Sequence, residues 1–373
     1  INAMVYIRGQ AEDYEDWAAA GNPGWGWDDV RPAYRRRESH AWGASEHHGG
    51  DGPLHVSCPE SDLHESCESF MAAGEALGVP RNRDFNGAGQ EGVGPYPLTI
   101  HQGRRMSASR AWLWPARNRP NLRIETGALA ERLILDGARC VGVRYAIGEQ
   151  TREARAGREV GVSGGSINSP QLLELSGIGQ PDRLRDLGIE VRHALPGVGE
   201  NLRDHYAPRT RWAIGTRGYS FNDLGRGLGL VRQAIRYAVN GGGMIGMVAA
   251  PIRAFVRSRE GLEAPDLLLG WVPMLTEPGP NGPVLSRRSG MTCYAHPMRP
   301  ESKGSVHVTS ADPRQAPAIA FNFLSAPVDA ALTARAVRVA RSIMTAPAMA
   351  PLRVMELAPG AAAGSDDEII DWV

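Results

Sequence analysis

The chain has 373 residues, of which 42% are hydrophobic, and its 41 basic and 41 acidic residues leave a formal net charge of zero. That length can bury one large or two ordinary cores, and the balanced charge offers none of the basic footprint that a nucleic-acid partner requires. Only Lys303 among the basic residues is a lysine, an arginine bias that reflects genome composition rather than binding, and no apolar run reaches the roughly 18 residues of a transmembrane segment.

The first residues, Ile1-Asn2-Ala3-Met4-Val5-Tyr6-Ile7-Arg8-Gly9, form a small apolar run that closes on Arg-Gly. Residues 10–60 are dense in turn formers, as in Gly21-Asn22-Pro23-Gly24-Trp25-Gly26-Trp27 and His48-Gly49-Gly50-Asp51-Gly52-Pro53. Such a stretch predicts a long ordered loop with aromatic anchors. Within it, Asp28 or Asp29 can cap a short helix over Val30–Arg37. Leu63, Cys67, Phe70 and Leu77 recur at helical spacing and predict a helix over 62–77 that Gly78 ends.

Residues 122–126, 128–135 and 140–145 read as strands, with Gly137 as a turn. The alternation of Val141, Val143 and Tyr145 with Gly142 and Arg144 suits an antiparallel meander with one wet face. A strand over 158–163 then runs into Gly164-Gly165-Ser166. A helix follows, with Ser169 as cap and Pro170 at its first position, ending at Ser176-Gly177. A second helix runs from Pro181 to Gly188, and a strand over 189–193 completes an α/β layer. Residues 206–300 lose this periodicity and predict a second, partly antiparallel domain. Strands over 305–309 and 318–323 and a helix through Leu332, Ala336, Val339 and Ile343 close the pattern.

The run Ser163-Gly164-Gly165-Ser166-Ile167-Asn168-Ser169-Pro170-Gln171-Leu172-Leu173 places small residues between a strand and a helix N-terminus. Free N–H groups and the helix dipole there favour negative charge, so a flat or phosphorylated ligand can approach the backbone. On spacing alone an ordinary tight turn is the stronger explanation, because a glycine-rich turn is a weak signal by itself.

The whole pattern reverses that balance. The run resembles the second signature of the glucose–methanol–choline (GMC) flavoprotein oxidoreductases, and residues 1–38 resemble the first. In order along the chain come His48-Gly49-Gly50-Asp51-Gly52-Pro53-Leu54, Asp84-Phe85-Asn86-Gly87, Gly103-Arg104-Arg105, Arg119-Pro120-Asn121-Leu122 and Leu195-Pro196-Gly197-Val198-Gly199-Glu200-Asn201. Phe255-Val256-Arg257-Ser258 and Lys303-Gly304-Ser305-Val306 follow. The nearest branch is similar to the choline-dehydrogenase-like alcohol dehydrogenases.

The resemblance implies an α/β (α+β) fold, with an incomplete Rossmann-like FAD-binding domain over 1–205. A substrate-binding domain on an antiparallel sheet is implied over 206–320, and the start of a C-terminal region over 321–373. It implies FAD as cofactor, with Asn2, Ala3, Met4 and Val5 beside the flavin and Ala130 offering backbone to the adenine. The implied reaction is oxidation of a small-molecule alcohol by hydride transfer to the flavin, with oxygen, a quinone or another carrier as electron acceptor. A flavin-scaffold lyase of the hydroxynitrile-lyase type and a non-catalytic fragment are the alternatives. The family's G-x-G-x-x-G unit has no counterpart after Ile1, and its C-terminal catalytic His pair has none before Val373. The chain therefore reads as an internal fragment, poorly stable and unable to hold FAD alone, and no catalytic residue is assigned. In some family members a His at the position of Ile1 carries a covalent flavin link, which Ile cannot form.

The four cysteines, Cys58, Cys67, Cys140 and Cys293, are scattered and read as free thiols of a reducing compartment. A cytoplasmic or membrane-associated location follows. His40, His47, His48 and His55 lack a ligand set at metal spacing, so no metal is expected and a loop-surface role is assigned to them. His64 and Cys67 read as core packing, and His101 and His205 as structural hydrogen bonding. The tryptophans, five of them before residue 113, are expected to staple long loops to the core.

Overall fold

The computed structural model describes residues 2–58 and 60–373. The chain divides into two compact units: residues 1–119, 207–299 and 331–373 form the first, and residues 120–206 and 300–330 the second.

The first unit is built on a six-stranded antiparallel sheet. Its spatial order is Val354–Ala358, Arg209–Ile214, Gly290–Pro297, Leu267–Val272, Ile252–Val256 and Gly92–Pro95. Leu267–Val272 reads as a continuous apolar run because both of its faces are covered. Leu267, Leu269 and Trp271 enter one cluster with Cys67, Phe70, Trp212, Ala336 and Ile343, whereas Leu268 enters another with Phe85, Tyr96, Leu98 and Phe255. The helices Glu65–Ala76 and Pro327–Thr345 supply the first cluster's other wall.

In the second unit Ala128–Asp136, Arg139–Ile147 and Gln150–Arg155 form the expected meander, with a third strand that the sequence pattern did not mark. Helices Gly165–Leu175 and Pro181–Asp186 follow. Leu175, Leu184, Ile189 and Val308 make this unit's small core. Buried Glu174 ties it together, accepting from the Val308 amide at 2.8 Å and pairing with His307 Nδ1 at 2.7 Å.

The mixed helix–strand class with an antiparallel sheet is as expected. Three expected strands differ. Residues 122–126 and 158–163 are not strands, since no neighbouring backbone pairs with them, and the strand expected over 189–193 is reduced to His193–Ala194, paired in parallel with Ile178–Gly179. The helix expected to be capped by Ser169 starts five residues earlier, with Gly164 as its cap, so Pro170 lies inside it. The strands expected over 305–309 and 318–323 are shorter, Ser305–His307 and Ala318–Ala320, and pair antiparallel, and all four cysteines are free.

Candidate functional site

In the first unit Asn2–Met4 form a single tight turn in which two consecutive non-glycine residues are left-handed, Ala3 at φ 48° and Met4 at φ 65°. Such conformations cost on the order of 1–3 kcal/mol each and persist only where surrounding structure fixes them. Here the fixing groups are explicit. The Met4 carbonyl accepts from the Thr99 amide at 2.8 Å and from Thr99 Oγ1 at 3.2 Å, and the Tyr6 amide donates to the Pro97 carbonyl at 2.9 Å. Met4, Val5 and Ile7 pack on the Phe85–Tyr96–Leu98 cluster, while Ala3 stays exposed. Ile1 lies outside the described residues.

Asn86 fastens the continuation of this segment, donating to the Tyr6 carbonyl at 2.9 Å and accepting from the Arg8 amide at 2.8 Å. Arg8 then reaches a buried ionic cluster. Its Nη2 donates to Glu38 Oε1 at 2.7 Å, and the same oxygen accepts from the Gly49 amide at 2.9 Å and lies 3.0 Å from His48 Nδ1. His48 Nε2 lies 2.9 Å from Asp84 Oδ2. Burial alone would favour neutral His48, but hydrogen bonds to Asp84 and Glu38 and their charges outweigh it and lift its pKa to about 9. Burial likewise opposes the charges of Glu38 and Asp84, and their bonds to His48 hold both below the ordinary carboxylate range. His40 stacks on His48 at 3.8 Å between ring centres. Burial and the neighbouring His48 charge push its pKa down to about 4. Tyr6 lies near enough to Glu38 and Arg8 for both to perturb it, and burial raises its pKa, yet its hydroxyl has no well-formed hydrogen bond.

This cluster corrects the loop-surface role given to His40 and His48, both of which are buried. His55 stacks on His101 at 3.9 Å, and His64 caps the Glu65–Ala76 helix by accepting from the Ser66 amide. Among the described residues no group of ligating side chains has metal-site geometry. The tryptophans also differ from expectation. Trp17, Trp25, Trp42, Trp112 and Trp114 are exposed, with Trp17 and Trp25 edge to face at 5.9 Å, while the core takes Trp212 and Trp271.

Ala130 belongs to the second unit. It lines a cavity of about 420 Å³ walled by Ala128, Leu129, Leu133, Val143 and Val160–Gly164, with Ser163, Asn168 and Gln171 as its polar side chains. The register of the Ala128–Asp136 strand shifts between Ala130 and Arg132. Buried Glu131, paired with Arg144 at 3.0 Å, occupies that irregularity. At the cavity's helix end Gly165 has φ +81°, and a Cβ built there would meet nothing within 4 Å. Neighbouring atoms therefore do not demand a glycine at this position. The left-handed backbone does, and no side chain caps the N-terminus of Gly165–Leu175. A mostly apolar slot with two amide side chains and a bare helix N-terminus fits a flat heteroaromatic ring carrying phosphate.

Residues 1–207 match the N-terminal domain and residues 300–373 the C-terminal domain of GMC oxidoreductases. Mouse (Mus musculus) mitochondrial choline dehydrogenase is 39% identical over 373 residues, all of this chain and 62% of the relative. The oxygen-dependent choline dehydrogenase of Pseudomonas aeruginosa is 38% identical over 395 aligned positions, all of this chain and 67% of the relative. Among solved structures, pyridoxine 4-oxidase from Mesorbium loti superposes with a TM-score of 0.86 at 27% identity, covering 99% of this chain and 68% of that one. An FAD-dependent oxidoreductase from Chaetomium thermophilum gives 0.88 at 25% identity, covering 100% and 72%. The chain thus spans less than two thirds of the mouse relative's length. It belongs to the GMC oxidoreductase family.

Proposed function

We propose that this GMC family member is the cofactor- and substrate-binding part of an FAD-dependent oxidoreductase that acts on a small CH–OH compound, choline-like in class. The observation that carries this is the match of the whole chain to choline dehydrogenases at 38–39% identity. FAD, when bound, accepts the hydride from the alcohol carbon. Residues 1–205 are assigned to cofactor binding, 206–320 to the substrate and 321–373 to the start of the C-terminal region, a division by function rather than by contact.

Asn2, Ala3, Met4 and Val5 are assigned to the flavin end of the cofactor. Ala3 offers no more than a methyl group, and the Thr99 bonds to the Met4 carbonyl hold the turn rigid. Ala130 is assigned to the adenine, whose ring matches the apolar walls of the 420 Å³ cavity. The amides at the start of Gly165–Leu175 would face phosphate charge. Oxygen, a quinone or another carrier takes the electrons.

The test is spectroscopic. The protein that carries this chain, purified, is expected to show visible flavin absorbance that bleaches when choline is added under anaerobic conditions. A flavin that stays oxidised while a cyanohydrin is cleaved would replace this assignment with the lyase, and absence of bound flavin would remove both.

A further inference from the structure

The strand Ile252–Val256 alternates across the six-stranded sheet. Ile252, Ala254 and Val256 enter the helix-covered core, while Phe255 enters the cluster on the opposite face. Arg253 shares that opposite face. Its rung crosses the sheet as Gly94, Arg253, Gly270, Tyr294 and Arg209. Gly270 is needed there, because a Cβ would fall within the Tyr294 ring, which leans across it toward Arg253. From the neighbouring strand on the other side comes Tyr96, and the Arg253 guanidinium lies over its ring, 4.8 Å from the centre.

This cation has no counter-ion. Arg253 is half-buried, its Nε is shut away without a hydrogen-bond partner, and among the described residues no carboxylate pairs with it. The flanking rungs of the same face add His296 and Arg211 and no carboxylate. A charge partly removed from water and left unpaired is costly, and with Nε closed in, the Nη edge is what the guanidinium can offer a ligand. The place adjoins the turn assigned to the flavin. Met4 and Tyr294 pack against one cluster, to which Tyr96 and Phe255 belong. The run that follows Tyr96 holds the turn, since the Pro97 carbonyl accepts from the Tyr6 amide and Thr99 donates to the Met4 carbonyl.

We propose that Arg253 is a specificity-determining residue: it receives the far end of the CH–OH substrate, and that end is a carboxylate. A carboxylate meets a guanidinium edge in paired, charge-assisted hydrogen bonds. A quaternary ammonium would meet a like charge there, and the Tyr96 face that could hold it is already taken by the guanidinium. This inference rests on the flavin assignment of Asn2–Val5 and narrows the choline-like class by charge: the CH–OH end is the same and the far end is opposite in sign.

The experiment is anaerobic flavin reduction in the full flavoprotein that carries this chain. It compares 3-hydroxypropanoate with choline, which put a carboxylate and a trimethylammonium at the same place on a hydroxyethyl group. The acid is expected to give the higher kcat/KM. Arg253→Gln should lower that value by roughly ten- to a hundredfold, chiefly through KM, and narrow or reverse the preference over choline. Arg253→Lys keeps the charge without the fork and should recover part of the preference. Bound flavin reports that each variant folds. In the parent, propanoate should compete with substrate and tetramethylammonium should not, a readout that needs no variant. The inference is overturned if the parent prefers choline, if Arg253→Gln leaves the preference unchanged, or if tetramethylammonium competes better than propanoate. In each of these cases the flavin still bleaches and the oxidoreductase reading stands, whereas a flavin that no alcohol bleaches overturns both.

Discussion

Glu38→Gln tests the buried cluster most directly. Glu38 is fully buried, and its Oε1 serves Arg8, His48 and the Gly49 amide, while Oε2 has no hydrogen-bond partner. The amide keeps the shape but removes the only charge lying between Arg8 and a protonated His48. It also either places an unpaired NH₂ at the buried Oε2 position or turns a donor toward donors. Breaking a buried ion pair by removing one partner costs about 3–5 kcal/mol, and at roughly 2–4 °C per kcal/mol this lowers Tm by roughly 6 °C or more. The pH profile carries a second signature. His48, lifted to about 9, supports the fold fully below its ordinary value of 6.5, and that support is lost as pH rises through 9. In the variant only Asp84 holds the proton, so the alkaline loss must begin at lower pH. Calorimetric melts of parent and variant between neutral and alkaline pH measure both effects. A variant within about 1 kcal/mol of the parent and with an unchanged alkaline limb would refute the ionic account of this cluster.

Three further outcomes follow from the same geometry. His40 is held down to about 4, so stability should fall as pH drops from 6.5 through 4, where the unfolded chain takes the proton first, and His40→Phe should flatten that limb of a urea-denaturation series. The low-lying Glu38 and Asp84 steepen the loss further into acid. Trp271→Ala, in the middle of the six-stranded sheet and stacked on Phe70 at 5.6 Å, should cost about 3–5 kcal/mol by chemical denaturation. Gly165→Ala should cost on the order of 1–2 kcal/mol through its left-handed φ alone, and flavin retention by the protein that carries this chain should fall with it. Unchanged retention would separate Gly165 from the phosphate.

The parts of this fold that were legible from sequence are those whose pattern is local. The Glu65–Ala76 helix announces itself through Cys67 and Phe70 on one face and Gly78 at its end, and the meander through Gly137 and the alternation around Val143. Residues 158–163 have strand composition but no strand, because a strand exists only where another backbone completes its ladder. The sheet strands in 206–300 were hard to mark individually, since burial on both faces erases period-two alternation, as in Leu267–Val272. The ionic cluster joins positions 8, 38, 48 and 84, and no window of sequence contains that pairing. One trace of it was visible. His48-Gly49-Gly50 needs a glycine at 49, where a Cβ would fall 1.8 Å from the Arg35 carbonyl oxygen, and such crowding marks a loop folded tightly onto a helix end rather than spread over the surface.

The Ala3–Met4 turn is where local preference and structure part most sharply. Ala and Met have no intrinsic reason to be left-handed, and glycine would fill either position without strain. The structure spends two Thr99 hydrogen bonds and the packing of Met4 and Val5 on keeping them so. At position 3, where the side chain is exposed, stability alone would favour Gly, because it would relieve the strain and leave the Met4 carbonyl bonds and the Met4 packing in place. What Gly would lose is the side-chain surface and the stiffness of the turn. A rigid, side-chain-bearing edge is useful where a flat cofactor must be supported at one fixed height, so a local rule broken against stability is better explained by a ligand than by the core. Ala3→Gly should accordingly leave the fold intact or slightly more stable while weakening flavin retention, and a variant that lost stability instead would return the turn to a purely structural role.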